Sequence, residues 1–311
     1  MSISKYEQDQ MDPSSKVLIS LASALAVKVE YLLRPVGVQL SAPVFRKKTR
    51  LAKRTENAIV EHVRDWLERY LAIEDLLDQR LSFSLPAIDG CITNVDEAER
   101  VATELRDAWE LGYDPIDNLT EILESRGIKV GFVEGHDDFD ALTLWADDDI
   151  PVIVVKEGIP GDRQRLNMAH ELGHILLETP ENWDSKQEED SAYRFAGAFL
   201  MPADDARRVL GKHRDSINPH ELHLLKHTYG LSMQAIVYRG KDLGIIPDNL
   251  YRRVWVDFNQ RGWRKVEPGD QIEPERPARM KRLVLRALAE GIITRSRASE
   301  LLGRSLSDFW E

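Results

Sequence analysis

Residues 169–178 read AHELGHILLE, two histidines four apart with a glutamate directly after the first. A helix turns about 100° per residue, so His170 and His174 project from one face, one turn apart. Both imidazoles then reach a single tetrahedral ion. Glu171 lies beside them, where its carboxylate can take a proton from a metal-bound water. Leu172, Ile175 and Leu176 flank the pair, so the helix belongs in an interior, and buried histidines need partners. The spacing predicts a metal-dependent hydrolase helix, with Zn²⁺ as the expected ion.

Two histidines do not complete a zinc site. Downstream, Glu188, Glu189 and Asp190 precede a run whose Ala192, Phe195, Ala196 and Phe199 must face the first helix. Glu189 stands three residues before Ala192 and seven before Ala196, on that buried face. Glu188 is one position off it and Asp190 two. Glu189 is therefore the expected third metal ligand, with Glu188 as the fallback. Glu178 follows His174 by one turn, and a continuing helix carries it away from the ion. His220, His223 and His227 form a second cluster on one helical face. No acid stands near to activate water, so they read as exposed or packing histidines.

Before the first helix the hydrophobic period is that of strands: Lys129–Val133, Ala141–Trp145 and 151–155. The loops between them, GHDDFD at 135–140 and the acids Asp147 to Asp149, are acidic. Asp162 reads as the cap of the helix that carries the histidines. Further upstream, Ile59, Val63, Trp66, Tyr70, Ile73 and Leu77 are spaced 4-3-4-3-4 within a helix expected over 55–81. Such a seam suits a bundle or a homodimer. Another helix is expected over 95–111, closed by Gly112. Helices are also expected after Pro13, ending before Pro35, from Asn218 to Gly230, and from Ser232 to Leu243. Gly262 and Gly291 read as helix stops. The fold class is α+β and mostly α-helical. A small core of short sheet plus HExxH helix sits between helical N- and C-terminal regions.

The chain has 311 residues, 42% of them hydrophobic, and no apolar run of membrane-spanning length. Its polar N-terminus carries no signal region, which points to a cytoplasmic protein without membrane partners. The lone Cys91 has no histidine near it in sequence and reads as a small structural hydrophobe. A net charge of −11 argues against a whole-protein footprint for nucleic acid, although FRKKTRLAKR at 45–54 holds six basic residues and no acid.

DRQRLNMAHELGHILLE, followed by EDSAYRFAGAFLMP, resembles the ImmA/IrrE metallopeptidase family of bacterial and phage regulators. The resemblance implies a zincin-like core with His170, His174 and Glu189 as ligands and Glu171 as base. Tyr193 stands where that family commonly has Asn or Asp, and Leu166 where it has Phe. Residues 4–33 are similar to the back half of an Xre-type DNA-binding domain, without its first two helices. The expected segments are 1–35 partial Xre-like helix-turn-helix, 36–113 helical connection and 114–205 metallopeptidase core. A helix-turn-helix-like unit over 206–248 and a helical C-terminal region over 249–311 follow.

The functional expectation is a regulatory zinc endopeptidase that cleaves one protein partner, a transcriptional repressor. Tyr193 and Arg163 are candidates for stabilising the oxyanion. An acid-lined cleft at Asp147–Asp149 would favour a basic substrate segment. The alternative is an antitoxin-like or autoregulatory binding protein of a toxin–antitoxin pair, its metal structural or vestigial. Direct DNA binding by the truncated N-terminal segment is the weakest of the three readings, since a recognition helix needs its first helix to position it.

Overall fold

The structure, a computed structural model, describes residues 2–7, 10–25, 29–33, 37–41, 44–45, 53–134 and 139–303. The chain divides into two compact units, Met1–Gln39 and Leu40–Glu311. Among its described residues the first unit holds three short helices, α1 (Ser2–Glu7), α2 (Ser15–Ala24) and α3 (Val29–Leu33). Ser14 occupies the cap position of α2 with an extended backbone, but its side chain makes no capping bond. Ala22 is buried, whereas Ile19 and Leu25 are exposed.

The second unit is α+β. It begins with β1 (Val44–Phe45), α4 (Lys53–Leu76), α5 (Ala98–Ala108) and α6 (Leu119–Ser125). Strands β2 (Lys129–Val133), β3 (Ala141–Ala146) and β4 (Ile150–Lys156) follow. Next come α7 (Gly161–Leu176), α8 (Ser185–Leu200), α9 (Ala203–Leu210), α10 (Pro219–Tyr229) and α11 (Met233–Asp242). The chain closes with α12 (Asp248–Gln260), α13 (Arg279–Ala289) and α14 (Arg295–Leu302). The sheet order is β1-β3-β4-β2. β2 runs parallel to β4, and β3 is antiparallel to both β4 and β1.

Each of the three expected strands is present. The fourth, β1, lies within the stretch expected to be helical, because two residues carry no legible period. The start of α8 also lies earlier than expected. Asp184 accepts from the backbone N–H of Lys186 and Gln187, and the Gln187 side chain returns a bond to Asp184, closing a capping box inside what reads as an acidic loop. Asp162 does not cap α7. It sits inside the first turn, buried, with Oδ2 2.9 Å from Lys226 Nζ of α10. The basic run keeps only its ends, 45 and 53–54, within the described residues. Residues 135–138 of the first acidic loop lie outside them.

The apolar seam of α4 is not a free dimer face. Tyr70 and Ile73 pack into one core with Met280, Leu283 and Val284 of α13 and Ala298 and Leu301 of α14. The C-terminal helices thus occupy the surface that the spacing offers to a partner. Beneath them lies a buried ion pair: Lys129 Nζ on β2 reaches both Glu74 oxygens of α4, at 2.6 and 2.7 Å. Arg279 of α13 reaches the same carboxylate at 3.1 Å. Burial pulls the Lys129 pKa down, and the Glu74 carboxylate opposes that shift. Glu74 and Lys129 are 0% and 1% exposed, so removing the acid leaves a desolvated cation without its counter-charge. Glu74→Ala is expected to cost about 3–5 kcal/mol in urea unfolding, far more than an exposed pair would.

Candidate metal centre

The site is built where α7 crosses α8. Helix α7 packs on β3 and β4, and Met168, Ala169 and Leu172 face the core. That leaves His170, Glu171 and His174 on adjoining positions of the opposite flank. Gly173 lets α8 come close: a Cβ there would stand 3.1 Å from Phe195 Cδ1 and 3.3 Å from Ala192 Cα. With Phe195 and Ala196 buried, the first turns of α8 are aimed at the histidines and Glu189 enters.

The structure brings the three expected ligands together. His170 Nε2 and His174 Nε2 lie 3.0 Å apart. Glu189 places Oε2 3.6 Å from His170 Nε2 and Oε1 3.6 Å from His174 Nε2. Bonds of about 2.1 Å to a tetrahedral Zn²⁺ give ligand–ligand edges of about 3.4 Å, so two imidazoles and a carboxylate at these separations fit such an ion. Among the described residues this is the one group of three such donors within reach of a common ion. Glu188 is not part of it. Glu178 is excluded for a reason other than a continuing helix. Helix α7 ends at Leu176, the chain turns extended at Leu177, and Glu178 pairs with the 90–92 segment instead.

Two further residues shape the site. The Thr143 hydroxyl of β3 donates to Glu171 Oε2 at 2.9 Å and holds the carboxylate in one orientation. The Tyr193 ring of α8 packs on the His170 ring, centroids 4.2 Å apart. Tyr193 therefore belongs to the site as a wall of the imidazole. Thr143, the hydrogen-bond partner of Glu171, carries no signal of that role in the sequence, although it is the one polar residue of ALTLWA.

Several other expectations land elsewhere. Arg163 is half-exposed and donates to both Asp140 oxygens at 2.7 and 2.8 Å. It lies seven residues before His170, about 10 Å along the helix, too far to touch a group at the histidines. Asp147–Asp149 form the exposed β3–β4 turn, about 13 Å of strand beyond Thr143. They do not line a cleft at Glu171. His223 and His227 pack ring to ring at 4.7 Å, and His220 is exposed. They gather no third donor among the described residues.

Cys91 is exposed rather than buried. Its thiol donates to Glu178 Oε2 at 3.0 Å, and that carboxylate pushes its pKa up to about 11.

A buried sheet-and-helix core with a His-His-Glu donor set and a carboxylate at its side defines a zincin-like peptidase fold. Residues 124–241 match the family model Peptidase_M78, described as the IrrE N-terminal-like domain. None of the curated proteins matches the chain. Among solved structures, a Mycobacterium tuberculosis transcriptional regulator is similar at 18% identity with a TM-score of 0.31. The match covers 55% of this chain and 51% of that one, so the chain spans about half the length of the regulator.

Two outcomes follow from this geometry. Gly173→Ala forces α8 back by a few tenths of an ångström, and thermal melting is expected to show a loss of about 1–3 kcal/mol, with weaker metal retention on dialysis. Cys91 is expected to react with iodoacetamide at pH 8 at least tenfold more slowly than a free thiol, because only the thiolate attacks. Glu178→Gln removes the raising charge and restores the rate.

Proposed function

We propose that the chain is a regulatory zinc-dependent endopeptidase acting on a specific protein partner, a transcriptional repressor, in the cytoplasm. The observation that carries this reading is the convergence of two imidazole nitrogens and a carboxylate within 3.0–3.6 Å of one another, with a second, oriented carboxylate on the same helix. A site that only stabilises structure needs no such base, which weighs against the antitoxin-like alternative. The IrrE N-terminal-like domain supports peptidase chemistry at the level of the family. Among the described residues no helix is long and apolar enough to cross a membrane.

His170, His174 and Glu189 would hold the zinc. Bound there, the ion polarises a carbonyl and lowers the pKa of a water to about 7. Glu171 takes the proton of the attacking water and passes it to the leaving amine, the usual part of a base placed on the ligand helix. Thr143 keeps that carboxylate turned toward the substrate side by occupying Oε2. Tyr193 holds the His170 ring plane, so Nε2 keeps its direction. Segments 114–205 and 206–248 would supply the catalytic core and a partner-facing helical unit, and 1–35 an Xre-like interaction element.

Metal analysis after tag removal tests the assignment. About one zinc per chain is expected in the wild type, and at least tenfold weaker retention in Glu189→Ala. Glu171→Gln is expected to keep the metal and lose about 10²–10⁴-fold in cleavage of a bound repressor. Unchanged metal in Glu189→Ala would overturn the ligand set.

A further inference from the structure

A surface on α11 and α12 carries a row of rings that the proposed metal chemistry does not use. Tyr238 of α11 and Tyr251 and Trp255 of α12 form a ladder of edge-on rings, with centroids 6.4 and 5.6 Å apart. Tyr251 and Trp255 are four residues apart, so one helical turn repeats the ring at about 6 Å. Cations are laid onto these rings. Lys241 Nζ stands 4.8 Å from the Tyr251 centroid and 5.9 Å from that of Tyr238, and the Arg264 guanidinium stands 5.1 Å from Trp255. Just beyond, Arg261 lies 4.8 Å from the Trp263 ring.

The surface is open and positive. Tyr238 is 43% and Val256 56% exposed, and Arg252, Arg264 and Lys265 are exposed. Residues 251–265 hold five basic side chains against one acid, Asp257, and Asp257 is held by Arg261 at 2.8 Å. Two acids act on Tyr238, Asp242 and Asp190, and Asp242 faces Arg194. Among the described residues Arg252, Arg253, Arg264 and Lys265 form no ion pair. In a chain of net charge −11 this is a local reversal of sign. Tyr251 packs partly on the core and Trp255 is half-buried, while Tyr238 stays exposed beside them.

We propose that the α11–α12 face binds single-stranded nucleic acid, with bases stacking on Tyr238, Tyr251 and Trp255 and phosphates meeting Lys241, Arg252, Arg264 and Lys265. Every base has a π-face, so a ring ladder takes a strand without reading its sequence, and the interleaved cations track its backbone. An acidic protein would satisfy the cations but gives the rings no repeating flat partner. A duplex keeps its bases stacked on one another and out of their reach.

The test is fluorescence anisotropy of the full chain with labelled oligo-dT, oligo-rU and a mixed-sequence duplex, at a series of salt concentrations. Both single strands are expected to bind at least tenfold more tightly than the duplex. The stronger of the two says whether DNA or RNA is preferred. The log–log salt slope is expected near −3 for about four phosphate contacts. Tyr238→Ala, a change at an exposed ring, is expected to lose about tenfold in affinity, and Trp255→Ala at least as much. Arg252→Gln is expected to flatten the slope by about 0.7. Binding with no preference for single strands, or affinity unmoved by Tyr238→Ala, would overturn the proposal. So would the absence of any oligonucleotide binding at low salt, which would leave the face to an acidic protein.

Discussion

The approach of α7 to α8 is the constraint on which the rest of the structure depends. The donors of the site come from two helices, and their separation is set by what fits between them. Gly173 offers no side chain, Ala192 offers a methyl, and Phe195 slides past both. Helices in contact through side chains usually keep their axes 8–10 Å apart. A glycine opposite an alanine permits the close end of that range, and Glu189 then completes an edge of 3.6 Å to each imidazole. A carboxylate one turn farther along α8 would miss. The geometry of the site is thus a consequence of packing, with electrostatics deciding only which residue types sit at its centre.

Such a crossing must be held at its ends, and buried polar groups do this. Arg106 of α5 donates to the carbonyls of Phe199 and Asp114, both at 2.6 Å, and Arg239 of α11 donates to that of Met201 at 2.9 Å. The C-terminal carbonyls of α8, which the helix itself cannot satisfy, are answered by guanidinium groups from two other helices. At the other side, the segment after α12 works as a strap. Glu267 accepts from the N-terminal N–H groups of α11 and from Lys226, and Lys226 also holds Asp162 of α7. Glu275 accepts from the first N–H groups of α6 and pairs with Arg165. Negative charge at a helix N-terminus meets the positive end of the helix dipole, so each acid acts twice.

This explains what could be read from the chain and what could not. His170, Glu171, His174 and Glu189 were legible because helical period is local: four residues, or the phase of an apolar stripe, decide which side chains share a face. Strands β2 to β4 were legible because continuous apolar runs bounded by turns have few other uses. Thr143 was not, because its meaning depends on β3 lying beside α7, a long-range fact. The same holds for Asp162. A cap and a buried partner of Lys226 look alike in sequence, and only the position of α10 separates them. The α4 seam is legible as a packing surface for a bundle or a dimer, and periodicity specifies such a face without saying what covers it. Glu267 and Glu275 sit in an EP-rich stretch that resembles a linker, yet they cap two helices.

Charge shows the same limit in another form. An overall balance of −11 is an average over surfaces that never act together. Salt screens exposed charges beyond roughly 8–10 Å, so a polyanion approaching α12 responds chiefly to the charges of that face, Arg252, Arg264 and Lys265 among them. What matters is the sign within one screening length and the groups beside it. The α11–α12 face carries charge laid onto rings, one of which, Tyr238, stays exposed to water. A surface that bears that cost is more informative than one that merely bears charge, because exposed aromatic area is stabilised only when something covers it.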